Sequence, residues 1–273
     1  MRNKVLFFGV VLAGLSACRA HHPVPIEPVS DISKADEDVT FSTMSAVAEI
    51  TLSSSSPQSP NSPNPSKTIC PPAHWRQIPN ATFSERESWT FDVRWGLLKA
   101  GEAVLAIEGL EPIRGRPSYH ISMDMHATGM TEKLHAYRDR TDTWLDRESL
   151  TTLLIRHSVR QSRYQADEAI VLDPSCQRFK RQRRRLDVNK MEEQRGPLLV
   201  DALDVYSALF YLRTLPLSEG QSYPWMLFTG DKTVEVTAFV RRKERLKVQA
   251  GNFDCFLIEI LKVCQFSLRP DQI

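Results

Sequence analysis

Between residues 87 and 95 the chain alternates. Trp89, Phe91, Val93 and Trp95 are apolar, while Ser88, Thr90, Asp92 and Arg94 are polar. A period of two sends the apolar side chains to one face of a strand and the polar ones to the other. Ala103, Leu105 and Ile107 carry the same rhythm after a turn signal at Ala100 and Gly101. Tyr119, Ile121, Met123 and Met125 repeat it beyond the turn residues Pro112, Gly115 and Pro117. Further strand-like pieces lie near 134–145, 151–163, 169–173 and 177–186, then at 221–229, 233–243, 246–250 and 253–261. Their spacing is that of an antiparallel meander. One stretch departs from this rhythm. Between 201 and 213, Leu203, Tyr206 and Phe210, joined by Ala202, Val205, Leu209 and Leu212, recur at spacings of three and four. That predicts an amphipathic helix with Asp201 as its N-cap and Pro216 beyond its end. The expected fold is therefore mainly β: a large curved antiparallel sheet, a half-barrel or open barrel, with one helix near 201–213 laid on it.

The N-terminus carries a different signal. Arg2 and Lys4 precede an almost unbroken apolar run over residues 5–15. A bilayer core of about 30 Å needs about 20 apolar residues in a helix, and this run is about half that. It has the length of a signal-peptide core. It ends in Leu15-Ser16-Ala17-Cys18, a lipobox: a large apolar residue, two small ones and the cysteine that receives the lipid. The expected organisation is a lipoprotein signal peptide over 1–17, lipidation at Cys18, and a membrane held through that anchor. Residues 18–80 read as a disordered tether, free of glycine, rich in proline and of low Ser/Pro/Asn complexity over 53–66. A β-rich domain would follow over 81–273. These signals place the domain in the periplasm at the cell envelope. Arg19, rather than Asp, follows Cys18 and favours the outer membrane over the inner one.

Three ordered blocks add a resemblance. The first is Glu87-Ser88-Trp89-Thr90-Phe91-Asp92-Val93-Arg94-Trp95-Gly96 followed by Ala100-Gly101-Glu102-Ala103. The second runs from Asp201 to Arg213 with Pro216, Leu217 and Gly220, and the third is Val248-Gln249-Ala250-Gly251-Asn252-Phe253-Asp254-Cys255. Over about residues 83–262 the chain resembles the domain-of-unknown-function 3108 family. The resemblance implies an exported, mostly β domain of Gram-negative envelopes, and it implies no activity or catalytic residue. Members of that family usually continue with further strands, whereas residues 263–273 read unlike them. The expectation is a truncation near Lys262, the alternative being a member that ends short. Missing strands would leave an open sheet edge.

Charge and motifs narrow the function classes. A formal net charge of +2 supplies no bulk attraction for nucleic acid or for an acidic substrate. The chain has no G-x-S-x-G elbow, H-E-x-x-H helix, P-loop or glycine-rich dinucleotide turn, so neither an enzyme nor a cofactor is expected. His120 and His126 share a strand face, but six residues at about 3.3 Å each hold them roughly 20 Å apart, too far to share a metal. His135 and His157 show no ligand-like neighbours in sequence. In the basic run 178–185, Arg181, Arg183, Arg184 and Arg185 are candidates for an anionic-headgroup patch, a solvated strand being the plainer reading. Phe179 is the only aromatic in the run, so a nucleic-acid surface, which needs interleaved aromatics, is not expected. Beyond Cys18, the cysteines Cys70, Cys176, Cys255 and Cys264 allow three complete pairings.

Trp89, Phe91, Trp95, Met123, Met125, Tyr206 and Phe210 are candidate lining for an apolar cavity between helix and sheet, against the simpler expectation of a filled core. By fold-level analogy with envelope lipid carriers, the leading expectation is a protein that binds a hydrophobic or lipid ligand. The alternative is an envelope scaffold that binds a protein partner.

Overall fold

The computed structural model describes residues 70–262, except 79–82, 85, 96, 97 and 162 and the side chains of Trp95 and Lys262. The signal peptide, Cys18, the tether up to Ile69, and residues 263–273 with Cys264 lie outside the described residues.

The alternating segments form β1 (Ser88–Trp95), β2 (Leu98–Ile113), β3 (Arg116–Ala127) and β4 (Tyr137–Asp146). They continue as β5 (Thr152–Gln161), β6 (Tyr164–Asp173), β7 (Arg178–Arg185) and β8 (Lys190–Pro197). All eight lie antiparallel in chain order in one sheet that does not close, with β1 and β8 as its edges. β9 (Ser222–Phe228), β10 (Thr233–Val248) and β11 (Gly251–Lys262) form a second, three-stranded antiparallel sheet with β10 in the middle. The helices are α1 (Gly129–Leu134), between β3 and β4, and α2 (Val205–Leu212), between the two sheets in sequence. The architecture is the mainly β fold expected, an open antiparallel sheet with, among the described residues, a single helix of more than two turns.

The local differences from expectation have physical causes. β8 reads Lys-Met-Glu-Glu-Gln-Arg-Gly-Pro and carries no apolar alternation, because it is an edge strand whose charges and final proline discourage pairing with another chain. β10 runs unbroken from Thr233 to Val248: Glu244 and Arg245, where the sequence reads as a break, pair regularly with Cys255 and Asp254 of β11, and the register shift lies earlier, between Val240 and Arg242. Gly101 sits inside β2 rather than in a turn. A Cβ there would stand 2.5 Å from the carbonyl oxygen of His126, so the glycine serves a close approach of β2 to β3. The helix begins three residues later than a cap at Asp201 predicts. Leu203 is held in a parallel bridge to Leu227, and the cap is Asp204, whose carboxylate accepts the Ser207 backbone N–H at 2.7 Å.

The folded part also starts before residue 81. Cys70 forms a disulfide with Cys176 at the β6–β7 turn, which settles one pairing that sequence left open. Trp75 packs beside Ile113, Trp144 and Leu154, and Ile78 packs beside Phe83 and Phe210. Those two residues are the only large aromatic or aliphatic side chains of 70–78, and their burial separates this strap from the polar stretch before it. Cys255 is a free, buried thiol in β11.

The core has two layers joined by α2. On one side Phe210 packs with Leu105, Ile107, Tyr119 and Ile121 of the large sheet. On the other, Ala208 and Leu212 pack with Leu203, Trp225, Val236 and Val240 of the small one. Next to α2, Phe228 and Leu198 cover Ile155, Ile170, Leu172 and Phe179.

Candidate functional site

Directly paired residues in a sheet point to the same face, so the register reads out what each face carries. One row crosses the whole large sheet: Trp89, Leu105, Met123, Thr141, His157, Glu168, Arg183 and Glu192 are successive partners from β1 to β8. It is apolar on β1–β3 and polar from β4 onward. The next row is also apolar on β1–β3, with Phe91, Ala103 and Met125, but is mixed beyond them: Asp139, then the buried Val159 and Ala166, then Arg185 on β7. This is the face on which α2 lies.

The structure brings most of the predicted cavity residues together here. Trp89, Phe91, Met123 and Tyr206 are half-buried and pack against the core below α2. Met125 is half-buried in the same sheet face. Phe210, at 1% exposure, is fully buried in the core beneath the helix. The Trp95 side chain lies outside the described residues. Tyr206 sits where the apolar and polar halves meet. Burial, together with the charges of Asp204 and Asp139, pushes its hydroxyl up to about 12 despite a hydrogen bond with Thr141.

The basic run behaves less simply than its sequence. Strand alternation divides it: Arg181, Arg183 and Arg185 point to the helix-bearing face and Arg184 to the other, since Arg184 pairs with Asp167 and its neighbours with Glu168 and Ala166. The run is also paired within the protein. Arg181 Nε and Arg183 Nε both donate to the same oxygen of Glu168, Oε2, at 2.7 Å each. Arg185 forks onto Asp187 at 2.9 and 2.6 Å and lies over the Tyr164 ring. A freely solvated basic strand is therefore not what the fold makes of these residues.

Sequence reasoning missed the partner of His157. Its Nε2 lies 2.9 and 3.0 Å from the two Asp139 oxygens, and the Tyr137 hydroxyl donates to Asp139 at 3.1 Å. The hydrogen bond to Asp139 raises the imidazole pKa above its ordinary value despite partial burial. Burial and the Asp139 charge push the Tyr137 hydroxyl up to about 12. The signal lay in register: Tyr137 and Asp139 share a face of β4, and the hairpin folds His157 back onto it.

The opposite face carries a second histidine cluster. His120 Nδ1 lies 3.0 Å from Glu111 and Nε2 2.8 Å from Asp142, and the ring stacks on Trp144 with centroids 4.5 Å apart. Arg140 forks onto the same Asp142 at 2.9 and 2.8 Å, and Trp144 Nε1 donates to Glu111 at 2.8 Å. Burial works to lower the His120 pKa, but the Asp142 hydrogen bond and the two carboxylate charges outweigh it and the net direction is upward.

Cys70, Asp173 and Cys176 are the one group of three among the described residues whose ligand atoms lie within 4.8 Å of one another. The two sulfurs are joined as a disulfide, which leaves no thiolate to ligate a metal. The described helices include none long and apolar enough to cross a membrane.

No curated protein and no solved structure matches this chain. A family profile does match, over residues 90–263, and it takes in nearly all of the large sheet, α2 and the small sheet. The chain belongs to the family described as Protein of unknown function (DUF3108).

Proposed function

We propose that this protein is a lipid-anchored protein of the cell envelope whose domain holds a hydrophobic or lipid ligand on the helix-bearing face, by binding rather than catalysis. One observation carries the reading. Trp89, Phe91, Met123, Met125 and Tyr206, large side chains from three elements, are gathered on one face and left half-buried. A monomer that needed them only for its core would have sealed them as it seals Phe210. The lipobox at Cys18 supplies the anchor, with the outer membrane favoured, and the proline-rich stretch after it supplies reach. The Cys70–Cys176 disulfide supports an oxidising compartment such as the periplasm.

The test is to purify the full chain from membranes, extract it with organic solvent and identify bound lipid by mass spectrometry. A lipid present in near-stoichiometric amount is expected. Consistently empty protein, with no lipid taken up from vesicles, would sink the binding reading.

A second reading has its own observation. Leu98, Met130 and Leu134 are 56, 64 and 80% exposed at the end of the sheet where α1 meets β2, and α1 buries none of its residues. Such a patch suits an envelope scaffold that docks a protein partner. Stoichiometric co-purification of one partner, with no lipid, would favour it.

A further inference from the structure

We infer that the ligand of the helix-bearing face is a long-chain amphiphile with an anionic head, its chain over Met123 and Tyr206 and its head against Arg183 and Arg181. This rests on the binding reading above and adds to it the chemistry at the ligand's polar end.

The first argument is arrangement. The row that begins with Trp89, Leu105 and Met123 continues into His157, Glu168 and Arg183 without leaving the face. From Met123 on β3 to Arg183 on β7 there are four strand spacings, about 19 Å at about 4.8 Å each. That is the reach of a long acyl chain. A purely apolar ligand would waste the polar half of the row, and a small polar anion would waste the apolar half.

The second argument is charge. Arg185 is engaged by Asp187 at 2.6 Å, Glu192 by Lys190 at 2.9 Å and Asp139 by His157 at 2.9 Å. Glu168, with its side chain 9% exposed, then serves two guanidinium groups through one oxygen. One carboxylate offsets one of them, so the Arg181–Glu168–Arg183 cluster keeps a surplus positive charge. A partly buried surplus is costly, and an incoming anion relieves it. The side chain of Arg183 remains 30% exposed, so its guanidinium can be approached. Its planar fork suits a carboxylate or a phosphate equally.

The experiment uses cis-parinaric acid and its methyl ester, which share one chain and differ in head charge, as fluorescent probes of the full-length protein. The acid is expected to bind about tenfold more tightly than the ester, a difference of about 1.4 kcal/mol. Arg183→Gln should weaken the acid by about that factor and bring it toward the ester. Glu168→Gln should act in the other direction and tighten the acid, which a loss of folding cannot imitate. Competition by palmitate against lysophosphatidate then tells a carboxylate head from a phosphate one. Equal binding of acid and ester by the unaltered protein, or an acid preference that survives Arg183→Gln, overturns the inference and leaves the hydrophobic reading standing. If neither probe binds, both fall.

Discussion

The two faces of the large sheet each hold a histidine against carboxylate, and they use it differently. On the face away from α2, His120 is occupied at both ring nitrogens, stacked on Trp144 and tied through Asp142 to Arg140. Every strong group in that cluster has a protein partner, which is the condition under which a polar network rigidifies a fold. On the face beside α2, His157 meets Asp139 through Nε2, and its neighbour Glu168 is shared between two arginines. In the first cluster two carboxylates are shared between His120 and Arg140, and in the second a single carboxylate serves two guanidinium groups. The same strands therefore build a closed, structural face and an open, receptive one. On the proposed binding reading it is this difference in pairing that marks the ligand's face, since residue types hardly differ between the two.

The largest break in this comparison should come from the strap that touches both faces. Trp75 packs on the closed face and Ile78 on the receptive one, and the Cys70–Cys176 bond fixes the strap across a separation of 106 residues. Loop-closure entropy for a loop of that length is worth about 4 kcal/mol. The paired substitution Cys70→Ser and Cys176→Ser should lower stability by about that amount in urea denaturation. Unaltered protein assayed with reductant should fall to the same midpoint. A midpoint unmoved by either change would mean that the strap is held by packing alone.

Next in size are the histidines themselves. His120→Ala strips two carboxylates and a stacked tryptophan of their partner, and should cost about 2 kcal/mol. His157→Ala, at a more exposed pair, should cost about 1 kcal/mol. Both imidazoles have a folded pKa raised above 6.5. A raised pKa contributes stability that is fully present below the unfolded value and lost as pH rises through the folded one. Stability should therefore decline from about pH 6 upward, and each alanine variant should flatten part of that decline. On the acid side Asp142 and Asp146 act oppositely. Burial raises both, but hydrogen bonds from His120 and Arg140 to Asp142, and from Arg116 and Ser149 to Asp146, bring the net pKa below 3.8. Their contribution is present above 3.8 and is lost as pH falls through the lowered values. If the closed face is the structural one, His120→Ala should shift stability and leave probe binding alone. His157→Ala should cost less stability and should shift probe binding as well.

Much of the frame was legible from alternation, which is clearest in β1 and β2, where every second residue is the more buried one. β8 was not legible, since an edge strand of Lys, Glu and Arg has no buried face to advertise. The site was harder still. The apolar half could be guessed from Trp89 and Met123, but its continuation into Glu168 and Arg183 is a property of register across eight strands. Periodicity within one strand carries no information about what the next strand places beside it. The basic run misled for the same reason: its counter-charges Glu168, Asp187 and Glu193 lie on other segments or beyond the run.

The smallest expected effect lies where the receptive face meets the helix. Asp204 is fully buried at the start of α2, accepts from the Ser207 backbone at 2.7 Å and the Thr152 hydroxyl at 3.2 Å, and has no cation among those partners. Burial raises its carboxyl pKa, and the hydrogen bonds from Ser207, Thr143 and Thr152 only partly oppose that. The linkage is then the reverse of the usual carboxylate case: stability is present below 3.8 and is lost as pH rises through the raised folded value. Asn at this position keeps an oxygen for the cap without the charge. Asp204→Asn should therefore gain up to about 1 kcal/mol at pH 8, with the gain shrinking toward pH 4, whereas Asp204→Ala should lose about 1–2 kcal/mol at either pH through the missing cap. Were Asn to cost as much as Ala, the carboxylate itself would be what the site requires. The charge of Asp204 would then have to be counted with Asp139 against the arginine surplus on this face, and the predicted preference for an anionic head would weaken accordingly.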